Sequence, residues 1–276
     1  MPRRRVRIRE GGPQWGSTMI VDVLNSAAPR AEISSPTPEK NQYAIRFADA
    51  AAKRIAADLQ VAFPGIAASP ARTARSVDNR TKQLDVNYST SRLGLALGIS
   101  LKSVHLRDAR PPNRYTHNMK RNEEELRIEA SGYHRRQPYA VMVGVLFLPF
   151  DSCDDGRGDN PSSFGSWVRH LRPYTGRRDP RNDVDRFERI YVALYEPDGT
   201  SLRFFDVEAD PPRSGRPPAD GELRAADGRT QRLLSYDEFL LAVEDSYKDR
   251  NTLKFRWAEG REEPIDPVAD EEDATP

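Results

Sequence analysis

The chain has 276 residues, of which 37% are hydrophobic and 31% are charged. That length can bury a substantial core, but the high charged fraction predicts that part of the chain lies outside it. The 43 lysines and arginines nearly balance the 42 aspartates and glutamates, so the net charge neither indicates nor excludes a nucleic-acid partner. With one cysteine, Cys153, and four histidines, the chain has no pair for an internal disulfide and is not expected to hold a structural zinc ion.

The sequence carries no signal for a membrane. Its longest apolar run, residues 139–150, is too short to span a bilayer. The basic residues 3–5 are not followed by the apolar core of a signal peptide. We therefore expect a soluble, cytoplasmic protein with no membrane partner.

Composition divides the chain into three regions. Residues 1–40 begin with five closely spaced arginines and contain a serine-proline segment, and they are predicted to be a flexible basic arm. A phosphate-binding role for these arginines is the alternative, and the apolar residues 19–24 are a candidate strand or docking segment. Residues 41–260 are predicted to form one domain, and residues 261–276, with seven acidic residues and one arginine, a disordered acidic tail.

The first half of the domain reads as helix, uncertain strand, two strands, helix and strand. Apolar residues three and four apart predict a helix from Asn41 to Phe63, ended by Pro64 and Gly65. A weak strand is centred on Val77, and residues 82–106 have the pattern of a hairpin. A polar helix over residues 118–134 precedes the continuously apolar residues 139–149, which are typical of a strand buried on both faces.

The second half extends the same sheet. A short helix is predicted over residues 162–171, and a hairpin follows, with its turn at residues 197–200. Ser235 and Glu238 have the spacing of a reciprocal cap at the start of another helix. The predicted fold class is α/β, with a mixed central sheet flanked by helices.

Asp85 and Lys102 are the first candidate functional residues. Asp85 lies in the first apolar run of the hairpin and Lys102 in the second, so paired strands would bring them to one edge of the sheet. A carboxylate beside a lysine can hold a divalent metal and activate water against a phosphodiester. The alternative is an edge-strand lysine that only discourages aggregation.

With Asp85, the segment Ser100-Leu101-Lys102 and this order of elements, residues 41–150 resemble the PD-(D/E)XK nuclease superfamily, the restriction-endonuclease-like fold. The resemblance implies an αβββαβ core, here with a C-terminal strand hairpin and helix added, and a Mg²⁺ or Mn²⁺ cofactor. It also implies that Asp85 and the Leu101 carbonyl are metal ligands, and that Lys102 orients the attacking water.

The chain departs from the family at Ser100, where a glutamate or aspartate is usual. A hydroxyl is a much poorer metal ligand than a carboxylate. We expect the following helix to supply the missing acid. Glu125 is the first candidate, Glu124 and Glu129 are alternatives, and Asp49 on the first helix is the second choice.

Four residues suit contacts with DNA. Arg114 and Asn118 can bond phosphate oxygens or base edges, and Tyr115 can stack on a base. His134 can contact phosphate, although a polar residue at a helix end is the simpler interpretation.

The resemblance implies a metal-dependent DNA endonuclease, a hydrolase acting in restriction or another antiviral defence. The alternative is a catalytically inactive nuclease-like subunit that binds DNA or assists assembly, and a third is a purely structural protein. An enzyme that cuts both strands is expected to act as a homodimer, and a defence protein to have a partner protein.

Overall fold

The computed structural model describes residues 15–69, 84–90, 94–109, 113–157, 161–209, 222–224, 230–250, 255–258 and 261–264. Within these ranges the helices are α1 (Trp15–Ala27), α2 (Thr37–Leu59), α3 (Met119–His134), α4 (Ser163–Leu171) and α5 (Tyr236–Arg250). The strands are β1 (Ala67–Ala68), β2 (Val86–Thr90), β3 (Gly94–Ser103), β4 (Val141–Pro149), β5 (Arg189–Tyr195), β6 (Leu202–Asp206), β7 (Glu222–Arg224), β8 (Thr230–Arg232), β9 (Phe255–Ala258) and β10 (Arg261–Pro264). Short 3₁₀ turns follow β4 and α4.

A six-stranded mixed sheet forms the centre, in the order β1-β2-β3-β4-β5-β6. Strands β1, β2 and β3 pair antiparallel, β3, β4 and β5 are parallel, and β6 is antiparallel to β5. Helix α3 connects β3 to β4, and α4 lies between β4 and β5, as parallel neighbours require. All nine residues of β4 are buried, because helices cover both faces of the sheet. The predicted α/β class with a mixed, helix-flanked sheet is confirmed.

The pleat of β3 decides which side chains meet which helices. Leu97, Ile99 and Leu101 belong to the core that includes α1, α2 and α5, whereas a second core contains the apolar residues of α3 and α4. Successive side chains of a strand point to opposite faces. Ser100 and Lys102 therefore point towards α3, away from the face that holds Leu101.

The flexible arm predicted for residues 1–40 is wrong for the described residues 15–40. Met19, Ile20, Val23 and Ala27 are buried in α1, which packs against α2. Their spacing of one, three and four residues puts them on one face of a helix. Residues 19–24 are therefore not a strand, whereas the alternative of a docking segment agrees with the packing of α1 on α2. Residues 1–14, with the arginines, lie outside the described residues.

The predicted disordered tail is also wrong where it is described. Residues 261–264 form β10, which pairs antiparallel with β9. Residues 265–276, and the weak strand predicted around Val77, lie outside the described ranges.

The other predicted elements of the domain are confirmed, with shifted ends. Helix α2 starts at Thr37 rather than Asn41 and so includes Pro38. Proline is tolerated there because the N–H groups of the first helical turn have no partner within the helix. At α5 the predicted cap is reciprocal: the Ser235 N–H donates to Glu238 Oε2 at 2.8 Å, and the Glu238 N–H donates to Ser235 Oγ at 3.3 Å. No helix among the described residues has the length and apolar character needed to cross a bilayer.

Candidate active site

A cleft of about 220 Å³ opens where β2 begins and β3 ends, between α2 and α3. Its polar lining comes from β3, from the residues just before β2 and from both helices, and it includes Asp49, Asp85, Lys102 and Glu125. Small side chains of α2, among them Ala44 and Ala48, form an apolar part of the wall. The cleft therefore gathers most of the residues that the sequence predicts for the site.

Asp85 is fixed directly beside β3. The last residue pair of the β2–β3 ladder is Val86 with Ile99, and beyond it the Leu101 N–H donates to Asp85 Oδ2 at 2.6 Å. The Asp85 carbonyl in turn accepts the Ser69 N–H at 2.9 Å. In an antiparallel ladder the N–H and C=O of one residue point to the same neighbour. The Leu101 carbonyl is therefore also expected to face this end of the sheet.

Lys102 lies between two glutamates of α3. Its Nζ is 3.0 Å from Glu129 Oε1 and 3.5 Å from Glu125 Oε2. The Lys102 side chain is 12% exposed and that of Glu129 is 2% exposed, so the charges compensate each other away from water. The interpretation of Lys102 as an edge-strand lysine is wrong, because β3 pairs with a strand on each side.

Ser100 takes part in the same arrangement. Its Oγ donates a hydrogen bond to Glu129 Oε2, and the residue is buried. One carboxylate of α3 thus contacts both the serine and the lysine of the Ser100-Leu101-Lys102 segment. An acid lies against this segment, but it comes from the helix rather than from the strand.

The α3 candidates separate by their position on the helix. Glu125 and Glu129 are four residues apart and share the face that meets Lys102. Glu125 lines the cleft and also accepts a hydrogen bond from Arg121 Nε at 3.0 Å. Glu124 faces away, 52% exposed beside Lys120. Asp49, the second choice, lines the cleft from α2.

The carboxylates of the cleft are oxygen ligands of the type that a hard cation such as Mg²⁺ prefers. Among the described residues, no three histidine, cysteine, aspartate or glutamate side chains are grouped so that they could hold a metal ion together. Mg²⁺, however, usually binds one or two carboxylates and keeps several waters or substrate phosphates. The carboxylates of Asp85 and Glu125, which line one cleft, are ligands of that type.

Two of the four residues predicted to contact DNA are buried, and for them the prediction is wrong. Tyr115 is 5% exposed, and its carbonyl accepts the Trp167 Nε1–H at 2.7 Å. His134 is 0% exposed, with Nδ1 3.1 Å from the Val184 carbonyl. Tyr115 packs in the α3–α4 core, and His134 is closed in by the 184–188 segment, so neither can reach a base or a phosphate.

The other two predicted DNA contacts differ in exposure. Arg114 donates to Ser166 Oγ at 3.4 Å and to the Pro161 carbonyl, and its side chain is 16% exposed. It therefore anchors the segment before α4. Asn118 is exposed at the start of α3 and remains a candidate.

The chain matches no protein-family model, no curated protein and no solved structure. Its function is therefore inferred from the chemistry of the cleft.

Proposed function

We propose that this chain is a metal-dependent endonuclease that hydrolyses phosphodiester bonds in DNA. The observation that carries the proposal is that Glu125 and Glu129 of α3 lie beside Lys102 of β3. On β3 itself, the position where the family usually has an acid is Ser100. The element order α2, β1, β2, β3, α3, β4 also agrees with the αβββαβ order of the PD-(D/E)XK superfamily, which this part of the sequence resembles.

Asp85 and Glu125 are the proposed ligands of Mg²⁺ or Mn²⁺, with the Leu101 carbonyl as a third. Both carboxylates line the cleft, and the Asp85 side chain is held in place by the Leu101 N–H. When bound, such an ion polarises a phosphoryl group and lowers the pKa of a coordinated water.

Lys102 is proposed to stabilise the negative charge that develops on the phosphate. Its ammonium lines the cleft in a poorly hydrated place, where a fixed positive charge acts more strongly than in water. Glu129 acts through Lys102, because it holds Nζ with one oxygen and the Ser100 hydroxyl with the other. Glu129 is therefore a positioning residue in this proposal.

The second candidate function is a nuclease-like subunit that binds DNA without cleaving it. It is favoured by the lack, among the described side chains, of a preformed group of three metal ligands. A role in restriction or antiviral defence, a homodimeric state and a partner protein follow from the family likeness alone.

Cleavage of DNA by the purified chain tests the first function against the second. Supercoiled, linear and single-stranded DNA would be incubated with Mg²⁺, Mn²⁺ or EDTA, using the wild type and Asp85→Asn. We expect cleavage that requires a metal and is lost in Asp85→Asn while the circular-dichroism spectrum stays native. Intact DNA under all conditions, with salt-dependent binding that is indifferent to metal, would favour the second function.

A further inference from the structure

A second polar cavity of about 180 Å³ lies at the opposite end of the sheet, and we call it the arginine pocket. It is formed where β5 begins and α5 ends. Its lining residues are all polar or charged: Arg177, Arg178, Glu188, Arg189, Ser246, Asp249 and Arg250. Because β3 and β5 both run parallel to β4, the start of β5 is far from the end of β3, where the cleft lies. The two sites share no lining residue.

The inner wall of the arginine pocket contains more buried positive than negative charge. Arg177 Nη1 and Arg250 Nη2 both donate to the same oxygen, Glu188 Oε1, at 2.9 and 2.6 Å. The three side chains are at most 7% exposed. The other oxygen of Glu188 accepts the Met142 N–H at 2.7 Å. Two buried guanidinium groups thus share one carboxylate, although buried charges are normally paired.

One donor of this wall has no partner. Arg250 Nε is buried and makes no hydrogen bond among the described residues. Burial lowers the pKa of Arg177 even though Glu188 raises it, which agrees with an incompletely compensated charge. A guanidinium group presents its donors in a planar fork that matches the oxygens of phosphate.

The outer wall adds two further guanidinium groups. Arg178 pairs with Glu208 at 2.5 Å, and Arg189 pairs with both Glu208 and Asp206, the latter at 3.2 Å, but neither acid lines the cavity. The lining therefore contains four arginines and two acids, Glu188 and Asp249.

We propose that the arginine pocket binds a phosphoryl group, either as free phosphate or at the end of a nucleotide. Its volume equals that of roughly six waters of ~30 Å³ each, which is enough for a tetrahedral anion but not for a whole nucleotide. A bound anion would compensate Arg177 and Arg250 and offer acceptors to the unpartnered Nε. This site is independent of the proposed nuclease activity.

Isothermal titration of the full-length chain tests the proposal, with inorganic phosphate as one ligand and deoxyadenosine 5′-monophosphate as the other. We expect saturable binding at a single site, competed by sulfate and not by chloride. If the nucleotide binds at least as well as phosphate, the physiological ligand is a nucleotide end. If phosphate alone binds, the ligand is the free ion. Both results support a phosphoryl site.

Three variants are expected to change the affinity of the arginine pocket for phosphate, two by lowering it and one by raising it. Arg178→Ala removes a guanidinium group that is 68% exposed and should raise the dissociation constant several-fold without unfolding the protein. Ser246→Asp places a carboxylate in the lining and should abolish binding. Asp249→Asn removes a competing charge and should tighten binding, a gain that a damaged fold would not produce.

Arg186→Ala is the matched control, because Arg186 is 42% exposed and lies outside the pocket. The proposal is overturned if the wild type shows no saturable phosphate binding in low-salt buffer. It is equally overturned if the three pocket variants bind phosphate as the Arg186→Ala control does.

Discussion

The buried ion pair between Lys102 and Glu129 has an energetic coupling that can be measured. Nζ and Oε1 are 3.0 Å apart, and the side chains are 12% and 2% exposed. Lys102→Met keeps most of the aliphatic stem but leaves the Glu129 carboxylate buried, with the Ser100 hydroxyl as a hydrogen-bond donor. Breaking a fully buried pair costs about 3–5 kcal/mol, and a hydrogen bond to a charged group contributes about 1.5–3 kcal/mol. Because Lys102 is not fully buried, we expect Lys102→Met to lower the free energy of unfolding by about 2–3 kcal/mol.

A double-mutant cycle isolates this pair. Glu129→Gln should cost much less in the Lys102→Met background than in the wild type, because no uncompensated carboxylate then remains. The expected coupling energy is at least about 1 kcal/mol, from urea unfolding of the four proteins followed by tryptophan fluorescence.

An exposed pair on the same helix provides the control for the cycle. Lys120 and Glu124 are 84% and 52% exposed, with Nζ and Oε1 3.9 Å apart. Their coupling should stay below about 0.5 kcal/mol. If Lys102 and Glu129 were also additive to within about 0.5 kcal/mol, the buried pair would not have the role given to it here.

Three other stability predictions concern a helix cap and two buried titratable groups. Ser235→Ala removes the cap of α5 and should lower the free energy of unfolding by about 1 kcal/mol, measured by urea unfolding. Ser235→Asp should keep most of the stability, because aspartate also caps helices well. Burial, with a contribution from Arg30, lowers the pKa of His105 to about 3. The neutral His105 ring therefore contributes fully to stability above about pH 6.5. As the pH falls towards 3, the free energy of unfolding decreases by up to ~1.4 kcal/mol per pH unit. His105→Gln should reduce that slope in urea titrations from pH 8 to 4. Burial raises the pKa of Glu188, but the His134 ring, whose Nε2 lies 3.4 Å from Glu188 Oε2, and the nearby guanidinium groups lower it overall. The contribution of Glu188 to stability is therefore present above about pH 4.5 and lost below it. Glu188→Gln should lower the free energy of unfolding at pH 7, and that free energy should then fall less in acid than it does in the wild type.

Local patterns predicted most of the sheet and its flanking helices. Each of these predictions depends on residues that are close together in the sequence. They are the apolar run of β4, the spacing of Tyr43 and Phe47 in α2 and the cap at Ser235, and each was confirmed. Helix α1 had a comparable signal in Met19, Ile20 and Val23. The arginines and prolines around it led to the wrong prediction of a flexible arm.

Contacts between distant parts of the chain could not be predicted in this way. His134 is a polar residue at a helix end by sequence, but its environment is set by Val184 and Glu188, about 50 residues later. The same limit applies to α3, where Glu125 and Glu129 share a face and only the packing against β3 decides which carboxylate lies closer to Lys102. The arginine pocket combines residues from three segments and has no local motif.

Helix α3 is proposed to supply the acid that Ser100 does not, and two neighbouring glutamates on that helix separate this role from a nonspecific effect of charge. The measurement is the rate of Mn²⁺-dependent DNA cleavage by Glu125→Gln and by Glu124→Gln, with native unfolding curves required of both. Glu125 lines the cleft beside Lys102, whereas Glu124 points to solvent. We expect Glu125→Gln to abolish cleavage and Glu124→Gln to cleave at the wild-type rate. Equal cleavage by the two variants would contradict this role of α3.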